Sequence, residues 1–291
     1  MPLSISRRGI LLAGGATAVT GLIAISGCQQ MAEIGESSGM LTREQSEMVS
    51  AGGKAVGAMN LDKDEKAKLA YGESIALSVA AKFPLDNSQS LQKYATLVGL
   101  TLLEATDDPS LPVLFGVLAT DEIVACASPS GHIFVSRGAI KKMKDESELA
   151  GVLGHELSHV LANDGMKALR AYKLSEAGSQ AAAAALSEQG LGELSQLVDA
   201  GSDTILKSGY DRPQEFRADA SGATIAGRAG YDPTGLRRFL EQLSATSKND
   251  RDQWNSTHPP KAQRIARLNE LPAPTRPGAT LPARLAKAIA V

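Results

Sequence analysis

Apolar positions change their period twice along this chain of 291 residues. Over the first part they recur every three or four positions, which predicts helices at 42–58, 62–83 and 88–106. The second of these starts at the Asp62 cap, and in the third Leu91, Tyr94, Val98 and Leu102 share one face. Short runs containing Val, Ile and Phe follow at Leu111–Thr120, Ile123–Ala127 and His132–Ser136, parted by turn residues, and predict a small β-sheet. Helical spacing then returns for 138–144, 146–163, 214–229, 233–246 and 260–270. In 146–163 the stripe Leu149, Val152, Leu153, Leu157 and Val160 faces a core. Asp145 or Ser147 caps the start of that helix, and Gly165, after Asn163-Asp164, suits its end. The pattern is α+β, mainly α.

Two segments break the alternation. Residues 166–208 are Ala-rich, with Ala181 to Ala185 unbroken, and read as helix packing more than as a lid, since Ala is the best helix former and no run reaches membrane-span length. The tail from Leu271 has four Pro in twelve residues and reads as extended chain over the surface. At the other end Arg7-Arg8 precede an apolar, small-residue stretch from Gly9 to Ile25, the layout of an export signal. Ser6-Arg7-Arg8-Gly9-Ile10-Leu11 resembles a twin-arginine signal, and Ile25-Ser26-Gly27-Cys28 resembles a bacterial lipobox. The expected organisation is therefore a signal over 1–27, a lipidated Cys28 with a polar tether to residue 41, a catalytic domain over 42–272 and a Pro-rich tail over 273–291. Gln29 after Cys28 points to the outer membrane, with the domain in the periplasm. With Cys28 acylated, the one other cysteine, Cys126, has no partner in the chain and reads as a small buried hydrophobe.

Composition narrows the partners. A net charge of −2 and a pI near 6.1 give no basic surface for nucleic acid. Aromatics are only 4%, so the core has to be built from Ala, Leu, Val and Ile.

The chemistry sits in His155-Glu156-Leu157-Ser158-His159, an H-E-x-x-H pattern inside a helix. Residues i and i+4 lie one turn apart, so His155 and His159 can reach one cation while Glu156 holds a water as general base. Two of the chain's four histidines stand in this motif. A catalytic zinc site takes three protein ligands and leaves one position open. The third candidate lies in Arg212-Pro213-Gln214-Glu215-Phe216-Arg217-Ala218-Asp219, where Glu215 and Asp219 are again i and i+4. One of these carboxylates can bind metal while the other orients a ligand imidazole. Two imidazoles and a carboxylate favour Zn²⁺, one per chain.

Taken with Thr257-His258-Pro259-Pro260, Arg264-Ile265, Gly131 to Gly138 and Gly230-Tyr231-Asp232-Pro233, these runs resemble a zinc-peptidase family. It contains HtpX, the Oma-type proteases and the CAAX prenyl proteases, and the layout is nearest to its periplasmic members of BepA and LoiP type. The resemblance covers roughly residues 65–272 and implies a zincin-like domain with a small sheet beside the metal helix. It implies His155, His159 and Glu215 as zinc ligands, Glu156 as general base, and Asp219 as the group orienting His155. His258 is either a switchable fourth ligand or transition-state donor, or a plain loop residue. The chain departs from the family at Ala125-Cys126-Ala127, where an Asn-Ala-Phe run is frequent, and at Asp164, near which another His is frequent. The implied function is an endopeptidase acting on misfolded or misassembled envelope proteins; the alternative is a zinc-bearing chaperone with little proteolysis. The strand His132, Ile133, Phe134, Val135 is a candidate to hold substrate as an added strand if it forms an open sheet edge. Arg212 is a candidate oxyanion donor, or a partner of Asp219 or another carboxylate.

Overall fold

A computed structural model describes residues 65–171, 201, 209–244, 258, 260–272 and 277–290. The predicted helix at 42–58, the export segment, Cys28 and most of the Ala-rich stretch fall outside the described residues. Among the described residues no helix is long and apolar enough to cross a membrane.

The described residues begin with α1 (Glu65–Lys82) and α2 (Gln89–Glu104), the latter capped by Ser88, whose hydroxyl accepts from the Leu91 backbone N–H at 3.3 Å. The period-2 region gives β1 (Leu114–Leu118), β2 (Ala125–Ala127) and β3 (His132–Ser136). The strand order is β1-β3-β2, with β1 and β3 parallel and β2 antiparallel to β3. Alternation along β3 divides two cores: Ile133 and Val135 join a large cluster with α2 and the helix that carries the H-E-x-x-H run, whereas Phe134 joins Tyr71, Ile75 and Val79 of α1 and Phe83 just past its end on the other face.

Next come α3 (Arg137–Lys142) and α4 (Glu146–Leu161), which carries the H-E-x-x-H run. Asp145, not Ser147, caps α4: its Oδ1 accepts from the Glu148 N–H at 3.2 Å. From Glu146 through Val160 every residue of α4 is buried, so this helix is enclosed on all sides and the five-residue stripe understates its burial. Its end also differs from expectation. Asn163, not Gly165, takes the left-handed conformation (φ 55°), and residues 164–171 are helical again.

The remaining elements are α5 (Arg212–Arg228), α6 (Gly235–Ser244), α7 (Lys261–Asn269) and α8 (Pro282–Ile289). Asp211 and Gln214 close a capping box at the start of α5, with Pro213 in its first turn. The tail is not simply extended chain. Ala279 bridges to Tyr231, Thr280 accepts a hydrogen bond from the Ser147 N–H at the head of α4, and α8 buries Leu285. The Arg284 Nε lies 3.1 Å from Glu146, which also accepts from the Tyr94 and Tyr231 hydroxyls at 2.8 and 2.9 Å. Residues past the Pro-rich stretch thus hold the start of α4.

A candidate metal centre between two crossed helices

α4 and α5 meet backbone to backbone. A methyl group on Gly154 would stand 2.9 Å from the Gly222 carbonyl oxygen, and one on Gly222 would stand 2.6 Å from the His155 nitrogen. Only two glycines allow so close a crossing, and it sets Glu215 and Asp219, on the same face of α5 as Gly222, against His155 and His159.

All four side chains are almost completely buried. His155 Nε2 and His159 Nε2 are 3.2 Å apart, and each lies 3.6 Å from a different oxygen of Glu215. The other nitrogen of each ring faces a carboxylate: His155 Nδ1 is 3.0 Å from Asp219 Oδ1, and His159 Nδ1 is 2.9 Å from Asp164 Oδ2. Arg264 Nη2 also lies 3.2 Å from His155 Nδ1. It is already committed to Asp219, to which Arg264 donates from Nε and Nη2, so Asp219 is the acceptor that fixes the His155 proton on Nδ1. Both Nε2 atoms are then bare acceptors pointing at one another and at Glu215.

Such a convergence of lone pairs repels unless a proton or a cation lies among them. Two nitrogens bound to one tetrahedral zinc ion stand about 3.3 Å apart for Zn–N bonds near 2.05 Å. The 3.2 Å separation fits that requirement. Two buried carboxylate oxygens, Glu156 Oε1 and Glu215 Oε2, also lack a hydrogen-bond partner among the described residues. The donor set therefore fits a resident divalent cation.

The electrostatics agree. Burial, the Arg264 charge and the neighbouring His159 lower the His155 pKa to about 3, leaving its ring neutral as a metal ligand must be. His159 is lowered by burial too, against the pull of Asp164. Burial together with Glu215 raises Glu156 to about 8, and burial and Asp219 raise Glu215 to about 8 despite Arg264. Asp219 behaves oppositely: burial alone would raise it, but Arg264 and His155 hold it well below the carboxylate range.

His258 enters the same space. Its Nε2 lies 4.0 Å from Glu156 Oε1 and 3.9 Å from Glu215 Oε2, and its ring centroid is 5.4 Å from that of His155. His155, Glu215 and His258 bring ligand atoms within 4.8 Å of one another. His159 is not one of those three, but its Nε2 lies 3.2 Å from that of His155 and 3.6 Å from the other oxygen of Glu215.

Three expectations need correction. β3 is not an open edge: it is paired on both sides, so His132, Ile133, Phe134 and Val135 form the middle of the sheet. Both β2 and β3 pack against α4, and β2, unlike β3, lies at an edge of the sheet. The Val124 carbonyl and the Ser128 N–H bond to β3, so alternation aims the backbone groups of Ala125 and Ala127 away from it. Arg212 is exposed at the first turn of α5, and the cation on Asp219 is Arg264 instead. Asp164, which the family pattern sets apart only as a departure, lies directly behind His159. Sequence spacing did not flag it, because a residue five past His159 lies about 140° round a continuous helix. Tyr210 was also missed; its ring packs 4.5 Å from that of His159.

The comparisons with known proteins point the same way. The model of peptidase family M48 matches residues 89–272. Over 238 residues, 77% of this chain and 48% of the relative, the chain is 26% identical to a beta-barrel assembly-enhancing protease of Yersinia pestis. Over 246 residues, 84% of this chain and 91% of the relative, it is 25% identical to the metalloprotease LoiP of Escherichia coli K12. To the metalloprotease YcaL of the same organism it is 28% identical over 159 residues, 55% of this chain and 62% of that one. The chain spans about half the length of the beta-barrel assembly-enhancing proteases it matches.

Proposed function

The chain belongs to peptidase family M48, and from that premise we propose that it is a zinc endopeptidase of the cell envelope, with His155, His159 and Glu215 holding one zinc ion. The observation that carries this is the meeting of two bare imidazole nitrogens 3.2 Å apart with the Glu215 carboxylate.

Zinc bound there would polarise a scissile carbonyl and bring the pKa of a water to about 7. The protein's own part follows from its geometry. Asp219 and Arg264 hold the His155 ring in the tautomer that leaves Nε2 free. Glu156, with Oε1 unbonded, takes a proton from the attacking water as the carboxylate; burial, which raises its pKa to about 8, then favours holding that proton until it passes to the leaving amine. His258, neutral and 4.0 Å from Glu156, serves as a fourth ligand at rest or as a donor to the developing oxyanion. A substrate chain adds along β2, where the small side chains of Ala125, Cys126 and Ala127 let another backbone approach. These residues are buried, so substrate entry has to open a path to them.

The substrates are proteins of the envelope that have misfolded or failed to assemble, in keeping with a relative named for enhancing beta-barrel assembly. The N-terminal pattern supports export over residues 1–27 and a lipid on Cys28, which tethers the domain in the periplasm. The test is cleavage of casein by the wild type and by Glu156→Gln, with zinc content measured for both. Cleavage by the wild type and its loss in the variant at equal zinc content is the expected result. If both are inert yet both suppress aggregation of an unfolded protein, the function is that of a zinc-bearing chaperone. His258→Ala, with zinc retained and the cleavage rate changed in either direction, supports the role given to His258; unchanged kinetics ends it.

A further inference from the structure

Asp164 is completely buried, although it follows directly on the end of a helix. On an uninterrupted helix it would point about 140° away from His159. The left-handed turn at Asn163 (φ 55°) breaks α4 and swings Asp164 back, so that its Oδ2 reaches His159 Nδ1 at 2.9 Å. Asn is among the few side chains that accept such a backbone.

Two side chains of α5 then grip Asp164. The Gln214 Nε2 donates to Oδ1 at 3.2 Å, and the Arg217 guanidinium donates to Oδ2. Lys167 Nζ lies 3.8 Å from Oδ1 as a weaker, half-exposed neighbour. Gln214 and Arg217 flank Glu215 in sequence, so one helix supplies both a candidate ligand and the hold on the carboxylate behind another. The arrangement repeats what stands behind the first imidazole: a carboxylate on Nδ1, Asp219, itself clamped by an arginine, Arg264.

We propose that Asp164, clamped by Arg217 and Gln214 and placed by the left-handed Asn163, is the positioning carboxylate of His159, fixing its tautomer and ring angle toward the metal. The inference rests on the reading of the site as a zinc centre and extends it to residues with no assigned role. Ligand histidines anchored in this way lose roughly 10- to 100-fold in metal affinity when the anchor is removed.

The test uses the full chain with zinc itself as the probe. Zinc affinity is measured by competition with a chromophoric chelator for the wild type, D164N, D164A, R217K, R217M, N163G and N163V. Ring nitrogen NMR of the zinc-loaded proteins reports the His159 and His155 tautomers separately. D164A should bind zinc roughly 10- to 100-fold more weakly, and its His159 Nδ1 signal should move while that of His155 stays. D164N, which keeps the shape, should fall between D164A and the wild type, and it carries the test if D164A does not fold. R217K should keep most of the affinity that R217M loses. N163G should behave like the wild type, whereas N163V should behave like D164A. D164A and D164N within twofold of the wild type, with unchanged His159 ring signals, would overturn the assignment. A wild type that takes up no zinc would instead bring down the zinc reading itself, and this inference with it.

Discussion

Replacing Gly222 by Ala tests whether the crossing of α4 and α5 sets the site. The added methyl carbon would meet the His155 nitrogen at 2.6 Å, the Gly154 carbonyl carbon at 2.8 Å and the His155 Cα at 2.9 Å. These are backbone atoms of a helix buried on every side, so they cannot rotate away. Ordinary contact begins near 3.4 Å, and α5 must therefore retreat by roughly 0.8 Å. Overpacking of this kind costs about 1–3 kcal/mol, here toward the upper end, while Ala in place of Gly returns up to about 1 kcal/mol of helix propensity. The expected net loss is about 1–2 kcal/mol. The effect on the metal should be larger, because Glu215 and Asp219 ride on the displaced helix and metal–ligand distances tolerate only about 0.2 Å. Zinc affinity should fall roughly tenfold or more. Gly227→Ala on the same helix is the control: its methyl group would meet Pro233 no closer than 3.5 Å, so it should be neutral or slightly stabilising. Denaturant unfolding of the metal-free proteins and chelator competition measure the two quantities. If G222A and G227A behaved alike in both, the close crossing would have no part in holding the site.

Four further outcomes follow. At pH 7 the metal-free protein keeps a proton on Glu215, whose pKa is raised to about 8, while His155, lowered to about 3, is already neutral. Zinc binding should then release at least one proton, and affinity should climb with pH until about 8; calorimetry in buffers of different protonation enthalpy reads the count, and zero release contradicts it. The same raised pKa means that the unfolded chain gives up this proton first, so Glu215 should destabilise the metal-free fold progressively as pH rises from its unfolded value toward 8. Removing residues 277–291 exposes the pocket of Leu285 and strips Arg284 from Glu146, and should cost at least about 2 kcal/mol in chemical denaturation. Tyr231→Phe removes a donor from fully buried Glu146 and should cost about 1–3 kcal/mol in the same assay; an unchanged midpoint would refute it.

Much of this architecture is legible in the residues. The change of period from 3.6 to 2 and back locates the three strands and helices α1 to α7 to within a few residues, because each element buries one face or two against its neighbours. His155, His159 and Glu215 are visible because i, i+4 spacing on a helix is a local property, and α4 and α5 need only cross for the ligand atoms to converge. Non-local features were not legible. Whether β3 lies inside or at the edge of its sheet depends on pairing with β1 from a distance, and nothing in His132–Ser136 records it. That Arg264 and not Arg212 clamps Asp219 depends on where α7 docks. Asp164 was hidden by the left-handed Asn163, a single backbone angle that redirects a side chain no helical wheel would turn toward His159. The docking of α8 was hidden because a Pro-rich stretch precedes it, and composition speaks for the approach, not for the short helix that follows.

The most direct test of the zinc site is anomalous X-ray diffraction at the zinc absorption edge from crystals of the zinc-loaded chain. One peak, about 2.0–2.2 Å from His155 Nε2, His159 Nε2 and a Glu215 oxygen, is the result this account predicts. A peak that left out Glu215 or engaged either ring through Nδ1, or no peak between α4 and α5 at all, would contradict it.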